Sequence, residues 1–536
     1  MKPNFSLNSC LVGCTLFAAS NLYAVTSYTG LTDSWGTPSN WSGGSVPSGT
    51  FNQRINVNSG TTVTFGSGEG TVDIGSNTAG ADLRAFLLAP TAGTATLNIT
   101  GGTLQAKGTG GPTGVSLVGS NVSGSIGVLD ISGGVLDLTP SDGANGKVLA
   151  IGLNAATAAV IQGTVTVSGT GTLKVSEFRF NESASNPSTG SVTGVLNLNS
   201  GGTVEVGVIR EGPSGFDQTN TSSTINFNGG LLKLTSSSGG ISNSITTATV
   251  LSGGAIIDVA TSLNAPVAEA LTAGSPSGGL TKQGDGTLTL SATNTYTGKT
   301  AVSNGTLALS ANGSIANSSA ITVDSGATLS ITGISSSTFT VGASQTLGGN
   351  GTLLATGKTV VANGTLSPGN SPGTFTQDAG VFQFGANGDL NWQIYDAEGP
   401  SGVSGYDTIN LTNGAVLDFA LLNISNPYNI NLWSLSGIGP DANGNAISFD
   451  NTQNYSWTLF SQDTAISEFD SSLFAINIGA NNGTSGFSND LGGGIFSVDL
   501  GNSNNSIVLK FTAVPEPSAA LLSGLGLLAI FRRRRH

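Results

Sequence analysis

From about residue 61 to 370 the chain repeats one pattern. Apolar residues stand at every second position in a short run, two glycines follow, and another alternating run begins. Ala95 to Leu104 reads Ala-Thr-Leu-Asn-Ile-Thr-Gly-Gly-Thr-Leu, and Gly127 to Leu138 follows the same plan. So do Gly194 to Val206 and Thr224 to Leu234. A period of two puts successive side chains on opposite faces of a strand, so each run has one face for a core and one for water. No helical periodicity of useful length interrupts it. The glycines suit corners, because they accept positive φ without strain.

Corner glycines fall at 101, 133, 169, 201, 229 and 253, spaced by 32, 36, 32, 28 and 24 residues. Strand-and-turn units of this kind cannot bury a face alone, and stacking them buries a continuous apolar ladder. The pattern therefore predicts an all-β protein whose body is a parallel β-helix or solenoid, with a β-sandwich for some part as the second choice. Asn304-Gly305, Asn350-Gly351 and Asn363-Gly364 continue the turn pattern downstream. From about Gly373 to Phe511 longer apolar runs appear together with Trp392, Trp433 and Trp457. They predict a compact C-terminal β domain that caps the solenoid, with these tryptophans in its core. The expected division is 25–60 for an N-terminal cap, 61–370 for solenoid repeats and 371–511 for the C-terminal β domain.

Composition narrows the function. Only 9% of the 536 residues are charged and 80 are glycine, against about 25% charged in an ordinary domain. Formal net charge is −13. Setting aside Lys2 and Arg532 to Arg535 leaves 12 basic against 30 acidic residues. A chain that acidic repels nucleic acid and anionic lipid, so neither is an expected partner. Cys10 and Cys14 lie in the first 24 residues, and the single histidine is His536. If both ends are processed, the remaining chain has no disulfide, no Cys/His metal site, no Ser-His-Asp triad and no Cys-His pair.

Both ends carry address signals. Lys2, the apolar run Leu11 to Ala19 and the small residues near Tyr23-Ala24 form a secretory signal peptide over 1–24, with cleavage after Ala24 and Ser20 as the second option. Leu11-Val12-Gly13-Cys14 is similar to a lipoprotein box, but its apolar run continues beyond the cysteine. At the other end Val514-Pro515-Glu516-Pro517 precedes an apolar stretch, Ser518 to Phe531, and then Arg532-Arg533-Arg534-Arg535. The prolines keep the motif extended. The apolar stretch is short for a membrane helix, yet flanking arginines can snorkel and hold that end on the cytoplasmic side.

This segment, 512–536, resembles the PEP-CTERM sorting signal of Gram-negative bacteria. The resemblance implies recognition and cleavage near Pro515, Glu516 and Pro517 by an exosortase-type membrane protease. It implies release or attachment at the surface, often alongside exopolysaccharide production, with membrane contact only through the C-terminal helix before processing. Residues 280 to 307 carry Leu280-Thr-Lys282, Gly284-Asp285-Gly286, Leu288-Thr-Leu290, Asn294-Thr-Tyr296-Thr-Gly298 and Asn304-Gly-Thr-Leu307. They resemble the autotransporter-associated β-strand repeat of bacterial surface β-helices. Gly364 to Thr374, Tyr406-Asp407 and Trp457 to Phe460 resemble the closing part of such proteins, and Trp35 with Asn40-Trp41 their opening. These resemblances imply architecture and export rather than an activity.

The expected function is a non-enzymatic structural or adhesive protein of the cell surface or matrix. The rival is a carbohydrate-active β-helix enzyme, a polysaccharide lyase or glycosidase, which needs carboxylates converging on one sugar. Asp130, Asp137, Glu205 and Asp258 are its candidates, but outward positions on exposed strands explain them equally. No catalytic residue is assigned. Asp285, Asp324 and Asp407 could contribute to a calcium loop, yet neither the EF-hand nor the glycine-rich calcium repeat is present, so no metal or cofactor is expected. Trp35 and Trp41 are the tryptophans best placed for a sugar contact, but even for them a cap role is the preferred reading.

Overall fold

The computed structural model describes residues 25–514 except 29–31, 43–44, 49, 52–53, 75–85, 107–114, 121, 140–147, 153–159, 183–189, 213–219, 238, 370–371, 440–441 and 480–485. The chain divides into two compact units, 1–249 and 250–536. Both are parallel β-solenoids, as the alternation predicts. Three short 3-10 turns, Pro38–Asn40, Ser67–Glu69 and Ser471–Leu473, are the only helical pieces among the described residues.

In the first unit each coil contributes strands to three parallel ladders. One runs through Thr62–Phe65, Gly93–Ile99, Ser125–Ile131, Val160–Val167, Ser191–Asn199 and Thr221–Asn228. After the glycine corner the second runs through Thr71–Ile74, Thr103–Gln105, Val135–Asp137, Thr172–Arg179, Thr203–Arg210 and Leu231–Leu234. The third links Val25–Tyr28, Arg54–Val57, Phe86–Leu88, Val115–Val118 and Val148–Ile151.

Register is residue on residue. Leu97, Leu129, Val165, Leu196 and Ile225 form one inward column. Ile99, Ile131, Val167, Leu198 and Phe227 form the next, and all ten are buried. Parallel strands are usually covered on both faces and read as continuous apolar runs. Here the outer face meets water, so the alternation survives in a parallel sheet.

The corners hold a detail that local turn chemistry does not give. Gly169 and Gly201 do have φ of 59° and 79°. Gly133 does not need positive φ, yet a Cβ there would stand 2.4 Å from the Thr100 carbonyl oxygen of the preceding coil. At Gly201 the same test meets Gly169 O at 2.2 Å. Coil-on-coil contact, as much as backbone conformation, demands glycine.

In the second unit one ladder joins Ala255–Val259, Leu280–Gln283, Thr300–Val302, Ala320–Val323, Thr346–Gly349, Thr365–Pro368, Asp389–Ile394, Tyr428–Ser434 and Phe474–Asn477. A second joins Asn264–Val267, Thr287–Leu290, Thr306–Ala311, Thr328–Ile334, Thr352–Leu354, Thr374–Asp378 and Thr408–Thr412. Its outer side carries Thr287, Thr306, Thr328, Thr352 and Thr376 in one register. A shorter third ladder contains Thr338–Val341, Thr359–Ala362, Val381–Phe384 and Val416–Asp418.

The parallel plan ends in antiparallel pairing: Tyr455–Ser461 with Ser506–Thr512, and that strand with Ile495–Leu500. Wider coils near this end are filled by aromatics, among them Phe384, which packs against Phe382, Phe419, Tyr428, Phe460 and Phe474. Antiparallel closure over an aromatic core occupies strand edges that would otherwise invite association. Among the described residues no helix is long and apolar enough to cross a membrane. The short C-terminal membrane helix expected from the sequence lies outside the described residues.

Candidate functional site

The sorting residues Pro515, Glu516 and Pro517, the flanking Arg532, Arg533, Arg534 and Arg535, and the cleavage position Ala24 all lie outside the described residues. The described body holds the carboxylate, metal and tryptophan candidates, and its geometry separates them.

Asp130 sits on the first ladder of the first unit, in register between Asn98 and Thr166. Burial raises its carboxyl above the usual range, and one oxygen has no hydrogen-bond partner. Asp137 and Glu205 share a different outer column, with Lys174 between them in register. Glu205 is ion-paired with Lys174 at 3.3 Å and accepts from Lys233 at 3.5 Å. A carboxylate held between two ammonium groups is a staple across three coils, not a free base. Among the described residues no three His, Cys, Asp or Glu side chains gather as a metal site. Asp285, Asp324 and Asp407 are therefore not brought together.

The densest charge cluster was not foreseen. Arg179 grips Glu177 through Nε and Nη2 at 2.6 and 2.8 Å and reaches Glu182 through Nη1 at 2.7 Å. Arg210, in register with Arg179 on the next coil, also donates to Glu177. Burial works to raise the Glu177 carboxyl, but the two guanidiniums outweigh it and hold it below its usual range. Charged residues placed two apart on neighbouring coils are the sequence signal that could have found this cluster.

The repeat at 280–307 is built around inward polar groups. Lys282 occupies an apolar position of its strand and is fully buried. Its ammonium donates to the carbonyls of Gln283 and Gly284 at 2.7 Å each and of Asn304 at 3.1 Å. It thus closes its own corner and the next. Burial lowers it from 10.5 to about 8, against the pull of Asp258 and Asp285.

Asn294 accepts from Leu271 N at 2.9 Å and donates to the carbonyls of Ala292 and Ser314. Tyr296 OH lies 2.6 Å from Thr300 Oγ1, which donates to Ser318 Oγ at 3.0 Å, and Ser318 donates to Gly298 O. The motif residues are spent on joining three coils. What looks like a chemical signature is a fastening.

Asp407 is equally internal. Its carboxylate accepts from Gly373 N at 2.6 Å and Gln393 N at 2.9 Å, which ties the glycine-proline segment to the aromatic coils. Burial pushes this carboxyl well up, with the two N–H groups opposing.

The tryptophans bear out the cap role and reverse one expectation. Trp35 and Trp41 are buried and donate to Pro47 O and Trp35 O. They stack edge-on with each other, Tyr28 and Phe65 at 4.8 to 5.1 Å. They form a cap core, the reading preferred for them from the sequence, and as buried rings they are closed to the sugar contact weighed beside it. Trp392 and Trp457 are core, as expected. Trp433, also expected in the core, stands on the outer face, partly exposed.

Comparison with known families agrees with two segments of this chain. Residues 280–309 match the passenger-associated-transport-repeat family, and residues 513–535 match the PEP-CTERM protein-sorting motif. Both were anticipated from the residues quoted above. No curated protein matches the chain. The two segments together support an exported β-repeat protein of the cell surface, and the sorting motif implies processing by an exosortase-type protein.

Proposed function

We propose that this chain is a structural or adhesive protein of the cell surface or extracellular matrix, without enzymatic activity, that works alongside exopolysaccharide. After export and cleavage following Ala24, the apolar segment and Arg532 to Arg535 hold it transiently in the membrane. An exosortase-type protease then cuts at Pro515-Glu516-Pro517. The match at 513–535 to the sorting motif carries this reading. It is supported by a body whose polar side chains mostly fasten coils to one another, as Lys282, Asn294, Glu205 and Asp407 do.

The test is fractionation of cells expressing the chain with and without Pro515-Glu516-Pro517. The intact chain should reach the surface or medium in processed form, and the deletion should remain in the membrane fraction. An intact chain left unprocessed in the cytoplasm overturns the proposal. The absence of activity is tested separately by incubating the purified protein with neutral and acidic glycans and calcium. New reducing or unsaturated ends would favour the enzyme reading instead.

A further inference from the structure

Four of the five tryptophans are sealed in the core with the indole N–H given to a backbone carbonyl. Trp433 departs from both habits. Its strand neighbours Ile430 and Leu432 point inward and are fully buried, while Trp433 points outward. Its indole nitrogen is itself buried and has no acceptor, so the ring, not the N–H, is what it presents outward. Gln393 lies beside it in register. Thr346 and Ser367 continue the same face on the preceding coils, and together these side chains line an open groove of about 260 Å³.

The groove exists because its floor is glycine. A Cβ on Gly348 would stand 2.1 Å from Ser367 O. Gly349 has φ of 101°, and a Cβ there would meet Val323 O at 2.1 Å. No side chain can fill this stretch without breaking the ladder.

We infer that this groove binds a neutral polysaccharide, with Trp433 as its stacking platform. An indole face takes the C–H face of a pyranose ring, and hydroxyl and amide groups around it pair with sugar hydroxyls. No lysine, arginine, aspartate or glutamate lines the groove, so nothing there selects a charged ligand. The net charge of −13 repels an acidic polymer. The lining comes from five successive parallel strands, Ala320–Val323 to Tyr428–Ser434, at about 4.8 Å spacing. The lining therefore extends along the coil axis for roughly 19 Å, which suits a chain of sugars better than a single ring.

This site deepens the surface-protein reading and rests on it only for where the glycan is met. It is tested on the purified mature protein by electrophoresis through gels containing dextran, laminarin or alginate. The wild type should be retarded by at least one neutral glucan and not by alginate. Trp433→Ala should weaken that binding tenfold or more, and Trp433→Phe should keep most of it. Ser367→Arg should block the groove with the indole still in place, and unchanged melting curves would show all three variants folded. Unretarded migration of the wild type in both neutral gels, or equal retardation of Trp433→Ala, overturns the inference. Binding is read whether or not the chain is exported. A chain that binds glucan but stays in the cytoplasm would sink the surface role alone.

Discussion

Replacing Gly133 by alanine separates two explanations of the corner glycines. If they serve only local turn conformation, Gly133 should tolerate a methyl group, because its φ is not in the left-handed region. The structure instead puts that methyl 2.4 Å from Thr100 O, well inside any contact a carbon and an oxygen accept. Relief requires the corner to move outward by close to 1 Å from a coil about 4.8 Å away. Ser132 N and Val135 N donate to Ile99 O and Gly102 O at 2.9 Å, and these bonds would stretch. Overpacking of this kind costs about 1–3 kcal/mol, and two weakened backbone hydrogen bonds add about 1 kcal/mol each.

The expected loss is therefore about 3–5 kcal/mol. Gly60 is the control in the same unit: its φ is 87° and a Cβ there meets nothing within 4 Å. Gly60→Ala should cost only the left-handed conformation of alanine, roughly 1–2 kcal/mol. Long repeat arrays need not unfold in one step, so hydrogen exchange of the amides flanking each corner is the assay, with urea unfolding of the whole chain beside it. Equal effects of the two substitutions, or a smaller one at Gly133, would refute coil-on-coil stacking as the cause.

Lys282 gives a pH signature. Its folded value near 8 lies below the ordinary 10.5, so the unfolded chain binds more protons between those values and stability rises with pH across that window. The stability of wild type relative to Lys282→Met should rise from pH 8 to 10.5, by up to about 3 kcal/mol; a pH-independent difference in melting experiments would refute this. Asp407→Asn should cost about 1–3 kcal/mol, because an amide can accept only one of the N–H groups of Gly373 and Gln393. Exchange at Gly373 should accelerate, and an unchanged rate would show that the buried carboxylate does not hold that segment.

The architecture was legible because Leu129, Val165 and Leu196 alternate with outward Asp130, Thr166 and Asn197, a signal that parallel stacking preserves when one face stays wet. The role of Gly133 was half legible. Its pairing with Gly134 signals a corner, but the carbonyl that forbids a side chain belongs to a coil 33 residues earlier in the chain. Lys282 shows the limit of hydrophobic patterning. A cation at an inward position reads as noise until its three carbonyl acceptors are seen. Trp433 was hidden for a similar reason: apolar surroundings in sequence suggest a core, and only register shows it facing outward beside Gln393. The sorting motif is legible for the opposite reason. It is linear, so its order of prolines, apolar run and arginines is recognised without a fold.

Mass spectrometry of the protein recovered from outside producing cells bears most directly on the central claim. The account predicts a chain beginning at Val25 and ending within Pro515 to Pro517, with the apolar segment and the four arginines gone. Recovery of the unprocessed 53.2 kDa chain, with Met1 and Arg535 both present, would contradict it.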